Sequence, residues 1–158
     1  MTERKGMFSP TREDIARYYR LRTGNEPSAF YAIMYEALWK AYKSALSQKG
    51  VTHSEAIRIA INSPAPRFWI STEKASLQIF RKECGKDFTY CEGTKNRRIM
   101  DIVYEKYLKL RQQPMHRDET RYHTVCWAVI SQAPSFFISY RRARLIIETI
   151  NHGIRHRL

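Results

Sequence analysis

The 158-residue chain is poor in what builds covalent or cofactor-bound sites. It has three cysteines, Cys84, Cys91 and Cys126. An odd count argues against a disulfide framework and fits a reducing compartment. Cys84 and Cys91 stand seven positions apart, outside the gaps of a zinc knuckle, so a zinc site would have to recruit His53, His116, His123 or His152 from afar. No Cys-His motif surrounds Cys126, which reads as a small, partly buried residue and not as a nucleophile. The six glycines form no phosphate-cradling loop. No run approaches the ~18 apolar residues that span a bilayer. Met1-Thr2-Glu3-Arg4-Lys5-Gly6 leads into no signal-like apolar stretch. The expected location is cytoplasmic, or inside a virion if the chain is phage-encoded, with no membrane partner. Acidic residues are few, 15 against 28 Lys and Arg. Asp87, Asp101 and Asp118 are scattered and suggest no nuclease cluster, and Glu36 and Glu105 read as helix-surface residues. No metal, no cofactor and no enzymatic activity are expected.

What the chain does have is positive charge and enough apolar surface to fold. The net charge is +13, and 43% of residues are hydrophobic. The length suits one compact domain or two small ones sharing a core. The charge points to a polyanion, nucleic acid before an anionic membrane surface.

One segment occurs twice. Ser63-Pro64-Ala65-Pro66-Arg67-Phe68-Trp69-Ile70-Ser71 returns as Ser131-Gln132-Ala133-Pro134-Ser135-Phe136-Phe137-Ile138-Ser139, offset by 68 residues. Over 60–79 and 128–147, ten of twenty positions are identical. Such a repeat describes one small unit used twice.

Helical periodicity and cap signals place the elements. A first helix is expected over Pro10–Arg22, and a longer one from Ser28 to about Gln48. Thr52-His53-Ser54-Glu55 has the form of a capping box opening a short helix. Pro64 and Pro66 stop it, and Ser71 caps a third helix over Thr72–Lys82. The second copy follows the same order. A long helix carries Ile99 to Leu110, a short one runs from Thr120 to Ser131, and a last one runs from Tyr140 to His152. Phe88-Thr89-Tyr90 could form an extended segment or hairpin arm. The expected fold class is therefore all-α: an N-terminal helical arm (1–27), repeat one (28–82), a linker (83–95) and repeat two (96–158) with a short basic tail. In each copy, Phe68 or Phe136 and Ile70 or Ile138 should pin the turn to the core. Ala75 or Ala143 should allow close helix approach. Leu77 and Ile79, or Leu145 and Ile147, should face inward. Trp39, Trp69 and Trp127 also fall at packing positions.

A three-helix unit with a fixed turn and a Ser-capped third helix resembles the helix-turn-helix class of DNA-binding domains. The turn here spans about seven residues, longer than that class uses, and lacks its glycine. The Ala-Pro-x-Phe-aromatic-x-Ser turn is also similar to that of uncharacterised small basic proteins of Bacteroidetes phages and mobile elements. The helix-turn-helix resemblance implies that the third helix offers its first turn to a groove. It implies contacts from Thr72, Lys74, Ser76, Arg81 and Lys82 in repeat one, and from Tyr140, Arg141, Arg142 and Arg144 in repeat two. Repeat two is favoured because arginines in a first helical turn cost up to ~1 kcal/mol, a cost offset when phosphate binds there. Glu73 fills that turn in repeat one. Two further clusters could track a backbone: Lys95-Asn96-Arg97-Arg98, and Arg155-His156-Arg157. Arg17-Tyr18-Tyr19-Arg20-Leu21-Arg22 suits either base stacking or an amphipathic helix. His152-Gly153-Ile154-Arg155 echoes the His-x-x-Arg of tyrosine recombinases, without a following Tyr.

The sequence leaves three functions open. One is a non-enzymatic DNA-binding protein. The second is a structural or adaptor subunit of a virion or nucleoprotein complex, with a protein partner or self-association. The third is an RNA-binding subunit, whose tyrosines would stack on bases. Burial of Phe68, Trp69, Phe136 and Phe137 would favour the first over the second; their exposure would mark a docking patch.

Overall fold

Hydroxyl side chains start nearly every helix. The computed structural model describes residues 11–23 and 29–155. Among them are seven α-helices and no strand: α1 (Arg12–Thr23), α2 (Ala29–Leu46), α3 (His53–Ile61), α4 (Thr72–Glu83), α5 (Lys95–Arg111), α6 (Arg121–Ile130) and α7 (Tyr140–Arg155). Thr52, Ser71, Thr94, Thr120 and Ser139 each accept a hydrogen bond from the backbone N–H three residues on, at 3.1–3.3 Å. Such a cap contributes about 1 kcal/mol and fixes where its helix begins. Thr11 and Asp14 cap α1 reciprocally, so it opens at Arg12; Pro10, where the sequence places its start, lies outside the described residues. Gly85 takes φ +82° two residues past the end of α4, a conformation that ends helices. The expected break at Asn25–Ser28 lies outside the described residues.

The helices group into two compact units, with the chain passing between them at Ser63/Pro64 and Phe137/Ile138. The first unit holds α1, α2, α3 and α7. Its α7 packs on α1, α2 and α3, with Leu38, Ile57, Ala143, Ile147 and Ile150 buried. The second unit holds α4, α5 and α6. Its α4 packs on α5 and α6, with Ile79, Ile99, Val103, Tyr107 and Val125 buried. The grouping thus differs from the sequence repeat (28–82 and 96–158). Each repeat's third helix packs on the first two helices of the other repeat.

Within the second unit, the repeated turns meet their own copies. Ala65 and Ala133 exchange reciprocal backbone hydrogen bonds of 3.0 and 2.9 Å. Phe68 stacks on Phe137 and Trp69 on Phe136, both with ring centroids 6.3 Å apart. The Phe68 N–H donates to the Val129 carbonyl at 2.9 Å. Phe68, Trp69 and Phe136 are buried, and Phe137 is half-buried. The turn is therefore a core element, as its apolar content suggests. Phe137 sits at φ +52°, a region that disfavours residues bearing a Cβ by about 1–2 kcal/mol.

Three inward expectations are corrected. Leu77 and Leu145 are 58% and 54% exposed. On α4 the buried positions include Ala75 and Ile79. Leu77 lies two residues from each, about 200° around the helix, and Leu145 stands in the same relation to Ala143 and Ile147. Trp127 is 51% exposed for the same reason, being two residues from buried Val125 and Val129. Trp39 and Trp69 are buried, as expected. Leu77→Ser or Leu145→Ser should therefore shift stability by no more than about 0.5 kcal/mol. Ile79→Ala or Ile147→Ala should cost about 2–5 kcal/mol in urea unfolding.

Phe88-Thr89-Tyr90 forms no strand. Phe88 is buried, and the Gln78 amide pairs with Thr89 through hydrogen bonds of 2.7 and 2.8 Å. A side chain thus supplies the pairing that a partner strand would have made. The 3-10 turn Pro114–His116, unforeseen from periodicity, buries His116 against Glu119.

Candidate nucleic-acid interface

The first turn of α7, Tyr140-Arg141-Arg142, contains no acid. Ser139 caps it, its side-chain and backbone oxygens accepting from the amides of Arg142 and Ala143 at 3.1 and 3.0 Å. Because α7 packs on α3, the Arg58 guanidinium stands 4.6 Å from the centroid of the Tyr140 ring. Arg142, exposed, lies 5.8 Å from the Tyr31 ring of α2. Arg141 is exposed and has no carboxylate partner among the described residues. The first turn of α7 thus carries two exposed arginines, and Arg58 adds a third cation beside Tyr140. Arg144 is tied to Glu148 at 2.8 Å. Glu148 also lies 4.0 Å from His53, which contacts the Tyr42 hydroxyl at 2.8 Å. Arg144 thus belongs to an ion-paired flank.

The matching end of α4 is closed. Glu73 accepts a hydrogen bond from the Tyr122 hydroxyl at 2.9 Å. Its own backbone N–H, and then Tyr122, hold the Glu73 carboxyl below its usual range. A carboxyl lowered by folding adds stability that is complete above its ordinary value and fades as pH falls through the lowered one. Glu73→Gln should therefore lose less stability than the native chain on going from neutral to acid, as read by thermal melts across pH.

The other sequence candidates divide. Lys74 and Arg98 are exposed, without ion-pair partners among the described residues. Arg81 donates to the Asp87 carbonyl at 3.1 Å, and Lys82 pairs with the Asp87 carboxylate at 3.4 Å. The Arg97 side chain is only 11% exposed and pairs with Asp87, Glu92 and Asp101 at 3.1–3.2 Å. These three cations clasp the loop between α4 and α5. Thr72 and Ser76 are half-buried. Arg157 lies outside the described residues, as do the side chains of Arg155, Tyr18, Tyr19, Leu21 and Arg22.

Arg58 is the residue that sequence reasoning missed. At the repeat offset it stands opposite Cys126, and Tyr140 stands opposite Thr72. Both differences fall on the same helix pair once α7 is seated on α3. That seating is a tertiary fact, so only the substitution itself was visible beforehand. Among the described residues, no group of three or more His, Cys, Asp or Glu could hold a metal, and no helix is long and apolar enough to cross a membrane. No protein-family model, curated protein or solved structure matches the chain.

Proposed function

We propose that the chain is a non-enzymatic nucleic-acid-binding protein, with DNA as the favoured partner, that engages phosphates through the first turn of α7. The observation that carries this reading is the contrast between two equivalent helix ends. The α4 end is neutralised by Glu73 and Tyr122. The α7 end presents Arg141 and Arg142 beside Arg58 and Tyr140, with no acid in the turn. A helix N-terminus already carries partial positive charge, so adding two arginines opposes the free helix and suits a bound anion. In the helix-turn-helix reading, α7 would be the recognition helix and α3 its support, drawn from different repeats. Lys74 and Arg98 would add long-range attraction.

The test is a salt titration of binding to duplex DNA, single strands and structured RNA. Affinity should fall steeply with salt, because each phosphate neutralised contributes about 0.9 to the log–log slope. A flat dependence would sink the reading. The order of affinities assigns DNA or RNA. A protein-partner role finds its support in the exposed Leu77, Phe80, Trp127 and Ile130 of the second unit. The aromatic turn no longer supports it, since three of its four aromatics are buried.

A further inference from the structure

Between α1, α2 and α7 of the first unit lies a cleft of about 270 Å³. Ile15, Tyr35, Ile146 and Ile150 form its buried floor, and exposed Leu145 and half-buried Thr149 line its side. Among the described residues, its one charged lining residue is Arg142. Arg142 also faces the exposed Tyr31 ring, whose centroid is 6.3 Å from that of Tyr35. An aromatic path therefore runs from the first turn of α7 to the cleft wall. The Thr149 hydroxyl donates to the Leu145 carbonyl at 2.8 Å, which leaves its oxygen free to accept.

Resting on the nucleic-acid reading above, we infer that this cleft takes one unstacked base of a single strand whose phosphates lie on Arg141 and Arg142. A base is joined to its own phosphate through one sugar, so a phosphate held at the rim by Arg142 brings its base to the cleft mouth. At about 30 Å³ per water, the space holds about nine waters, which is room enough for the ring of one base. The apolar floor and tyrosine wall suit the face of a base, and the Thr149 oxygen can accept from its edge. A base inside a duplex cannot enter without leaving its stack. An apolar side chain of an acidic peptide would also fit the floor. The net charge of +13 and the two adjacent arginines favour a chain with a phosphate at every residue. Leu145, turned away from the core, stands at the cleft's rim.

The experiment compares a short oligothymidine strand with an abasic strand of equal length and charge, using the full chain. The intact strand should bind about tenfold tighter, and a 2-aminopurine placed in it should change fluorescence on binding. Thr149→Phe, which fills the cleft, should bring the intact-to-abasic ratio close to unity. Equal affinity of the native chain for both strands overturns the base cleft and leaves the phosphate reading standing. So does a ratio that Thr149→Phe, shown to be folded by its melting curve, fails to lower. Binding to neither strand, and to no duplex, overturns the nucleic-acid reading and the cleft with it. Displacement of the strand by an acidic peptide bearing a leucine anchor, with no fluorescence change, assigns the cleft to peptide and overturns the inference.

Discussion

Arg141→Glu/Arg142→Glu should lower duplex-DNA affinity by about a hundredfold or more at ~0.1 M salt. Each phosphate contact contributes about 0.9 to the salt slope, so at that concentration each lost contact costs about tenfold. Charge reversal adds repulsion. The slope itself should fall by about 2. Both side chains are exposed, and acids favour the first turn of a helix. The variant should therefore melt no lower than the native chain, which separates lost binding from lost folding. Lys74→Glu/Arg98→Glu makes the matched control: the same change of charge, placed on the second unit, with a smaller loss. Native-like affinity in the Arg141/Arg142 variant would remove α7 from the interface.

Phe68→Ala should be the most destabilising single change, at about 3–5 kcal/mol. Phe68 is fully buried, stacks on Phe137 and donates its N–H to Val129. Small domains hold only about 5–15 kcal/mol in all, so the loss should show as a large drop in urea midpoint. Where the variant remains folded, its DNA affinity should match the native value. A loss of affinity in the folded variant would mean that the turn touches the ligand and is not scaffold alone.

The helices were legible because their signals are local. A Ser or Thr cap, a proline stop and a period near four residues belong to the segment itself, and the boundaries of α3, α4, α6 and α7 lie close to those expected. The repeat was legible from identity alone. The pairing of third helices was not. Ala75 and Ile79 on α4 have the same spacing and size as Ala143 and Ile147 on α7, so either helix suits either pair. The repeat also misled: Leu77 and Leu145 are identical in both copies, which invited an inward reading, yet the helical angle turns them to solvent. Arg97 looked like part of a basic cluster, but its three carboxylates, Asp87, Glu92 and Asp101, are spread along the linker and the following helix. Arg58 gained meaning only beside Tyr140, a neighbour contributed by the distant copy.

The exchange of third helices also orders events during synthesis. The second unit is one continuous stretch from Pro64 to Phe137, and it can close once that stretch has left the ribosome. The first unit cannot. Its α1, α2 and α3 emerge early, then wait through about 80 residues for α7, some 4–16 s at ~5–20 residues per second. During that interval α1, α2 and α3 lack the helix that packs on all three. Stalled nascent chains ending before α7 should accordingly show protease resistance over α4–α6 while α1–α3 is still cut.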